Sequence, residues 1–318
     1  MTRILVTGGA GYIGSIATVA LLDAGFEVNV LDDCSTGHRD AVDSRATFIN
    51  GSILDKSAIQ TAIQGCQAVM HFAGKSLVGE SVKEPQLYLS VNVEGSANLL
   101  DVMKELGVLK IVFSSSASTY GEPEDSPITE DSLTQPTNPY GLSKLKVDEL
   151  LSKRATSDGI GAISLRYFNV AGAMQTESGW LGERHDPETH LIPLVLHSTK
   201  SEPIKIFGTE WPTPDKTCIR DYIHVVDLVE AHIKALSIIT LGRHEVVNLG
   251  SGEGYSVRQV IDAATRVVGS EIPTVEVGPR SGDPAILIAS IDKARNFLGW
   301  QPTRTLDSMI SDAIAASR

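Results

Sequence analysis

Residues 4–14 read Ile4-Leu5-Val6-Thr7-Gly8-Gly9-Ala10-Gly11-Tyr12-Ile13-Gly14: a short apolar run, a glycine-rich turn and the opening of a helical pattern. Gly9, Gly11 and Gly14 satisfy the dinucleotide fingerprint, and Gly8, Gly11 and Gly14 give a second, three-residue spacing. Glycine is required there for the tight turn, for close approach of backbone to a pyrophosphate, and for packing of the helix on the strand. The N-terminus of the helix then presents free N–H groups and about half a positive charge to the phosphates. Asp32 closes the next apolar run, with Asp33 beside it. An acid at that distance accepts both ribose hydroxyls and repels a 2′-phosphate, which favours NAD over NADP.

Outward from this turn, Ile4–Thr7, Glu27–Leu31, Ala46–Ile49, Ala68–His71, Lys110–Ser114 and Ala162–Arg166 read as strands. Their continuous apolar character suits strands covered on both faces. Helical segments lie between them and end at glycine: Ser15–Ala24 before Gly25, and Val93–Leu106 before Gly107. The alternation predicts an α/β fold, a doubly wound parallel sheet of Rossmann type with a smaller C-terminal α/β substrate-binding lobe. The expected division is 1–170 for the NAD-binding domain and 171–318 for the lobe, with some segments exchanged between them. Ala171–Thr189 has no clear period and is expected to be a long loop over a cleft. After it come helices at Ile192–Thr199, Val226–Ile238, Ser256–Val268, Ile291–Leu298 and Leu306–Ala315, with strands at Ile204–Phe207 and Thr274–Val277.

The balance of 27 Lys+Arg against 39 Asp+Glu gives a formal charge of -12, which argues against a surface built for a nucleic-acid backbone. No apolar run is long enough to span a membrane, no signal pattern opens the chain, and Cys34, Cys66 and Cys218 are too few for a disulfide framework. A cytoplasmic protein is expected, with no metal site.

Asn138-Pro139 precedes Tyr140-Gly141-Leu142-Ser143-Lys144, and proline starts a helix well, which puts Tyr140 and Lys144 on one face. A phenol titrating near 10 needs roughly 3 units of depression, about 4 kcal/mol, to act as a base near neutrality. A cation about 4.5 Å away at an effective dielectric of about 20 supplies that amount. Lys144 is thus expected to ionise Tyr140 and to grip the nicotinamide ribose. Ser114-Ser115-Ser116 ends a strand where α/β sheets place their ligands, and a hydroxyl there can hold a substrate oxygen and relay its proton to the tyrosine.

With these motifs in place, the chain resembles the extended short-chain dehydrogenase/reductase family and, within it, the UDP-glucose 4-epimerases. The resemblance rests on Thr7–Gly14, His71-Phe72-Ala73-Gly74, Val78-Gly79-Glu80-Ser81, Asn92-Val93-Glu94-Gly95, the serines with Tyr120-Gly121, and Tyr140–Lys144. It continues through Arg166-Tyr167-Phe168-Asn169, Arg220-Asp221-Tyr222-Ile223-His224, Asn248-Leu249-Gly250 and Leu298-Gly299-Trp300. It implies that Ser116, Tyr140 and Lys144 are catalytic. It implies an NAD site lined by Gly8, Gly11, Tyr12, Ile13, Gly14, Asp32, Asp33, Ser52, Ile53, Phe72, Ala73, Gly74, Asn92, Lys144 and Tyr167. Ser116, Asn169, His190, Leu191, Phe207, Arg220, Arg280 and Asp283 would hold the UDP-sugar. Arg220 and Arg280 suit a diphosphate because guanidinium matches phosphate oxygens bidentately.

The implied reaction is inversion at carbon 4 of a UDP-hexose, through transient oxidation to a 4-keto sugar, by a homodimer packed through Val93–Leu106 and Tyr140–Leu151. Departures are Ser52, where the family places an acid toward the adenine, and Lys75, one position earlier than expected, with Ser76 in its place. Leu287, at the position that gates N-acetyl groups, leaves N-acetylhexosamine and glucuronate substrates open. A 4,6-dehydratase needs an acid pair after the serine, where this chain has Ala117-Ser118-Thr119. A non-catalytic NAD-binding regulator would not need Ser116, Tyr140 and Lys144 together.

Overall fold

Seven strands form one parallel sheet in a computed structural model that describes residues 1–123, 125–280 and 283–317. They are β1 (Arg3–Thr7), β2 (Glu27–Asp32), β3 (Thr47–Asn50), β4 (Ala68–His71), β5 (Lys110–Ser116), β6 (Gly161–Tyr167) and β7 (His244–Leu249), in spatial order β7-β6-β5-β4-β1-β2-β3. The chain leaves β1 toward β2 and β3, then returns to place β4 on the other side of β1. The two winding directions therefore part between β1 and β4, and the crevice at their carboxyl ends is where such sheets bind ligands. The doubly wound α/β arrangement is as the alternating pattern predicts.

Each face of the sheet is closed by helices, which is why the strands are apolar throughout. Tyr12–Asp23 and Val225–Ile238 cover one face, with Leu21, Leu228, Ala231 and Ala235 buried against Ile4, Val6, Ile163 and Val247. Lys56–Ala62, Gly95–Glu105 and Pro139–Asp158 cover the other, with Ile59, Leu99, Val102, Val147 and Leu151 against Leu5, Val69, Ile111 and Phe113. At about 25 cal/mol per Å² of apolar area, these two layers provide the main drive to fold.

A second core joins the helices Leu191–His197, Val257–Val268 and Leu306–Ala316 to the strands Ile204–Phe207 and Ile219–His224. Ile204–Phe207 pairs with Thr274–Val277, and both have the expected bounds. Ile219–His224 is central to this region, pairing with Asn169–Ala171, Gly254–Ser256 and Ile286–Leu287.

Three expectations are corrected. The expected loop Ala171–Thr189 contains an antiparallel hairpin, Met174–Thr176 with Gly179–Leu181, too short to show a period. The helix expected from Val93 starts at Gly95, after a wide π-helical turn at Leu89–Glu94. β7 was not anticipated, because its sequence mixes His244 and Glu245 with valines and its partner β6 lies far back along the chain. Among the described residues, no helix is long and apolar enough to cross a membrane.

Candidate functional site

A cleft of about 1330 Å³ opens at the carboxyl ends of β1, β4 and β5, beyond the roughly 300–1,000 Å³ usual for one small ligand. At one end the glycine turn folds back on itself. A Cβ on Gly14 would lie 2.1 Å from the Gly8 carbonyl oxygen, and one on Gly8, at φ +73°, would lie 2.5 Å from the Ala73 nitrogen. No side chain fits at either position, so the backbone of the turn faces the cleft. The helix that follows has Gly11 as its N-cap with no side-chain cap, and its first residues Tyr12, Ile13 and Gly14 line the cleft with N–H groups that have no intrahelical acceptor. The Asp32 carboxylate accepts from the Ala10 N–H at 2.9 Å and the Cys34 N–H at 2.8 Å, tying the turn to the end of β2. Burial pushes this carboxyl up from its usual range, with the two amides pulling against it. A backbone cradle of this kind, with an acid beside it, fits the pyrophosphate and ribose of a dinucleotide.

Asp33, Ser52, Ile53, Phe72, Ala73, Gly74 and Tyr167 line the same cleft, as do Lys75, Ser76 and Leu287. The Tyr167 hydroxyl hydrogen-bonds Ser114 Oγ. Asn92 adjoins Gly74, which lines the cleft. It is buried behind the wall of the cleft, where Oδ1 accepts the Lys75 N–H at 2.7 Å and Nδ2 donates to the Lys75 carbonyl at 3.0 Å and to Ser143 Oγ at 2.8 Å. Both ends of its amide are used in holding the loop after β4, so its link to the cleft is indirect.

Ser116, Tyr140 and Lys144 meet in the middle of the cleft. Ser116 ends β5, and Asn138 caps the helix of Tyr140 and Lys144 by accepting the Gly141 N–H at 2.9 Å; Pro139 occupies its first turn, and Gly159 ends it at φ 72°. Burial pushes the Tyr140 phenol up, and its hydrogen bond with Ser116 draws it back. Lys144 Nζ donates to the Ser114 carbonyl at 2.7 Å and lies 5.9 Å from the centre of the Tyr140 ring. Burial brings the ammonium down to about 8, against the pull of Asp148. The lysine is anchored to the strand end, and burial dominates the phenol.

Beyond the triad, Asn169, His190, Arg220, Arg280 and Asp283 line both the main cleft and an adjoining cavity of about 540 Å³. Leu191 and Phe207 line only the smaller cavity. The Arg280 guanidinium lies 3.8 Å over the centre of the Phe207 ring, and Arg220 Nη2 is 3.8 Å from Asp283 Oδ1. Two guanidinium groups thus line one space, with Asp283 the carboxylate beside Arg220. Asn169 donates to the Asp221 carbonyl at 2.9 Å. His190 Nδ1 lies beside carboxylates, 2.6 Å from Glu183 Oε1 and 3.2 Å from Glu188 Oε1. Burial alone would lower this imidazole, but the two carboxylates overcome it and carry it up to about 10. With His185, whose Nδ1 is 2.7 Å from Glu183 Oε1, these residues form a cluster where none was expected. Its signal was the spacing Glu-x-His-x-x-Glu-x-His inside a stretch read as loop.

Residues 4–250 match the family described as NAD dependent epimerase/dehydratase. The chain is 50% identical over 98% of its length to the UDP-glucose 4-epimerase of Corynebacterium glutamicum, covering 95% of that protein. It is 48% identical over 98% of its length to that of Streptomyces lividans, covering 94% of it. Among solved structures it resembles UDP-glucose 4-epimerase from Brucella ovis in complex with NAD, with TM-score 0.93, 39% identity and coverage of 100% of this chain and 98% of that one. It also resembles the Bifidobacterium longum enzyme in complex with NAD+ and UDP, with TM-score 0.91, 36% identity and coverage of 99% and 98%.

Proposed function

This chain belongs to the NAD dependent epimerase/dehydratase family, and from that premise we propose that it interconverts UDP-galactose and UDP-glucose by inverting carbon 4 of the hexose. The observation that carries this reading is the junction of a dinucleotide cradle, the Ser116–Tyr140–Lys144 group and a two-arginine space in one continuous cleft.

Each part has a task. Gly8, Gly11 and Gly14 would offer backbone amides to the pyrophosphate of NAD, and Asp32 and Asp33 would hold its adenosine ribose. The cofactor, so held, would supply a reversible hydride acceptor for carbon 4. The Tyr140 phenolate accepts the proton of the carbon-4 hydroxyl, with Ser116 Oγ as its relay, which leaves a carbonyl at carbon 4. Lys144 supplies positive charge that favours the phenolate. Arg220 and Arg280 keep the diphosphate in place while the hexose turns and presents its other face. Tyr140 then gives the proton back. Among the described residues of the main cleft, the turn after Ser116 offers Ala117 and Ser118 and no acid that could expel water, which favours epimerisation over dehydration. The same reading makes the protein a cytoplasmic homodimer of galactose metabolism. The exposure of Leu106 and Leu142, in the segments expected to pair, supports the dimer.

The reading is tested by incubating purified protein with UDP-galactose and no added NAD, and separating the products. UDP-glucose is expected, together with NAD released on denaturation. Absence of inversion even with NAD supplied contradicts it.

Charge on Lys144 sets a pH limit. Its ammonium titrates at about 8, so it is charged below that pH and neutral above it. Loss of the charge removes support for the Tyr140 phenolate, and kcat/KM, which reports the free enzyme, is expected to fall as pH rises through about 8. A pH–rate profile taken to pH 10 measures this. Activity still climbing beyond pH 9 counts against a charged Lys144 in the working enzyme.

A further inference from the structure

We propose that Glu183, His185, Glu188 and His190 form a binding site for one divalent transition-metal ion, with zinc the best match. Their donor atoms, two imidazole nitrogens and two carboxylate oxygens, lie within 4.8 Å of one another on one short loop. Glu183 Oε1 is 2.7 Å from His185 Nδ1 and 2.6 Å from His190 Nδ1, and Glu188 Oε1 is 3.2 Å from His190 Nδ1. Ligands about 2.0–2.1 Å from a tetrahedral zinc lie roughly 3.3 Å apart, so the four atoms need to move by only about an ångström to surround an ion.

Three features point inward to a cation. First, His190 Nδ1 is shut off from solvent and has no aligned hydrogen-bond partner, although Glu183 is close. Second, the Glu183 side chain is only 6% exposed, and among the described residues no lysine or arginine pairs with it or with Glu188. The neighbouring Arg184 turns away to Asp40. The close neighbours of Glu183 are the two imidazoles, which can meet a buried carboxylate through a shared proton or, with the same nitrogens, through a shared metal ion. Third, Glu188 Oε1 is already held by the N–H groups of Thr189 at 2.6 Å and His190 at 2.7 Å, the outer support that orients ligands in metal sites.

Two imidazoles with two carboxylates suit zinc and its neighbours better than magnesium or calcium, which take oxygen ligands. Four protein ligands leave no open position, which marks the ion as structural. It would clasp the loop that leads into the Leu191–His197 helix and lines the cleft through Glu188, Thr189 and His190. Binding of the ion does not depend on the proposed reaction.

The test uses full-length protein without a histidine tag, stripped with dipicolinate and titrated with Zn2+ by calorimetry and with Co2+ by absorption. The expected result is one Zn2+ per chain with Kd below about 1 μM, and a Co2+ spectrum of four-coordinate intensity. In the double variant Glu183→Gln, His185→Ala, zinc affinity should fall at least 100-fold, with NAD content and circular dichroism retained. Wild-type protein that binds no stoichiometric zinc overturns the proposal, whatever the variant does. Unchanged zinc binding in the double variant overturns it equally.

Discussion

Tyr140→Phe is expected to lower kcat about a thousandfold while NAD stays bound. The phenol is buried, hydrogen-bonded with Ser116, and central to the cleft. The substitution removes one oxygen and leaves the ring and its edge-on contact with Tyr88, whose ring centre is 6.4 Å away. A positioned base contributes roughly 10²–10⁴-fold, so a loss in that range with KM little changed identifies a group that acts on the reacting atoms. The measurement pairs steady-state kinetics on UDP-galactose with the NAD content of the denatured protein. Turnover within tenfold of the parent removes Tyr140 from the mechanism. Loss of NAD along with turnover shows instead that the hydroxyl holds the site together.

Gly14→Ala is expected to empty the dinucleotide site. Its Cβ would lie 2.1 Å from the Gly8 carbonyl oxygen, 2.8 Å from the Gly8 carbonyl carbon and 2.9 Å from Gly9 Cα. All three are backbone atoms, so no side chain can swing aside and the turn itself must open. Overpacking of this kind costs about 1–3 kcal/mol in stability. The larger effect falls on the ligand. Hydrogen bonds to a charged group contribute roughly 1.5–3 kcal/mol each, and misdirecting two amides weakens NAD binding by about 10²–10⁴-fold. Purified variant protein should therefore carry little NAD and show activity only when NAD is added in excess. Full NAD content at purification refutes this account of the turn.

What the sequence made legible was local. The glycine turn, the acid after β2 and the Asn138-Pro139 helix start are each decided within a few residues by backbone sterics and capping. The structure builds them at those positions. What stayed hidden was set by partners distant in the chain. β7 depends on β6 for its pairing, and nothing within His244–Leu249 advertises it. The resemblance put Asn92 at the NAD site, but only the fold reveals that its amide bonds Lys75 and Ser143. The approach of His190 Nδ1 to Glu183 and Glu188 likewise depends on how their loop folds back. Spacing put Tyr140 and Lys144 on one helical face. It could not show that the ammonium would be drawn to the Ser114 carbonyl, or that burial would act on the phenol more strongly than charge.

β7 and the Val225–Ile238 helix come late in the chain, yet they complete the sheet laid down by the first half. A fragment that stopped after β6 would expose a raw strand border carrying Ile163 and Leu165, and would bare one flank of the sheet. Such borders invite pairing with other chains. The nucleotide-holding half is thus no detachable cassette. The border and flank of its sheet are covered by residues from the later part of the chain.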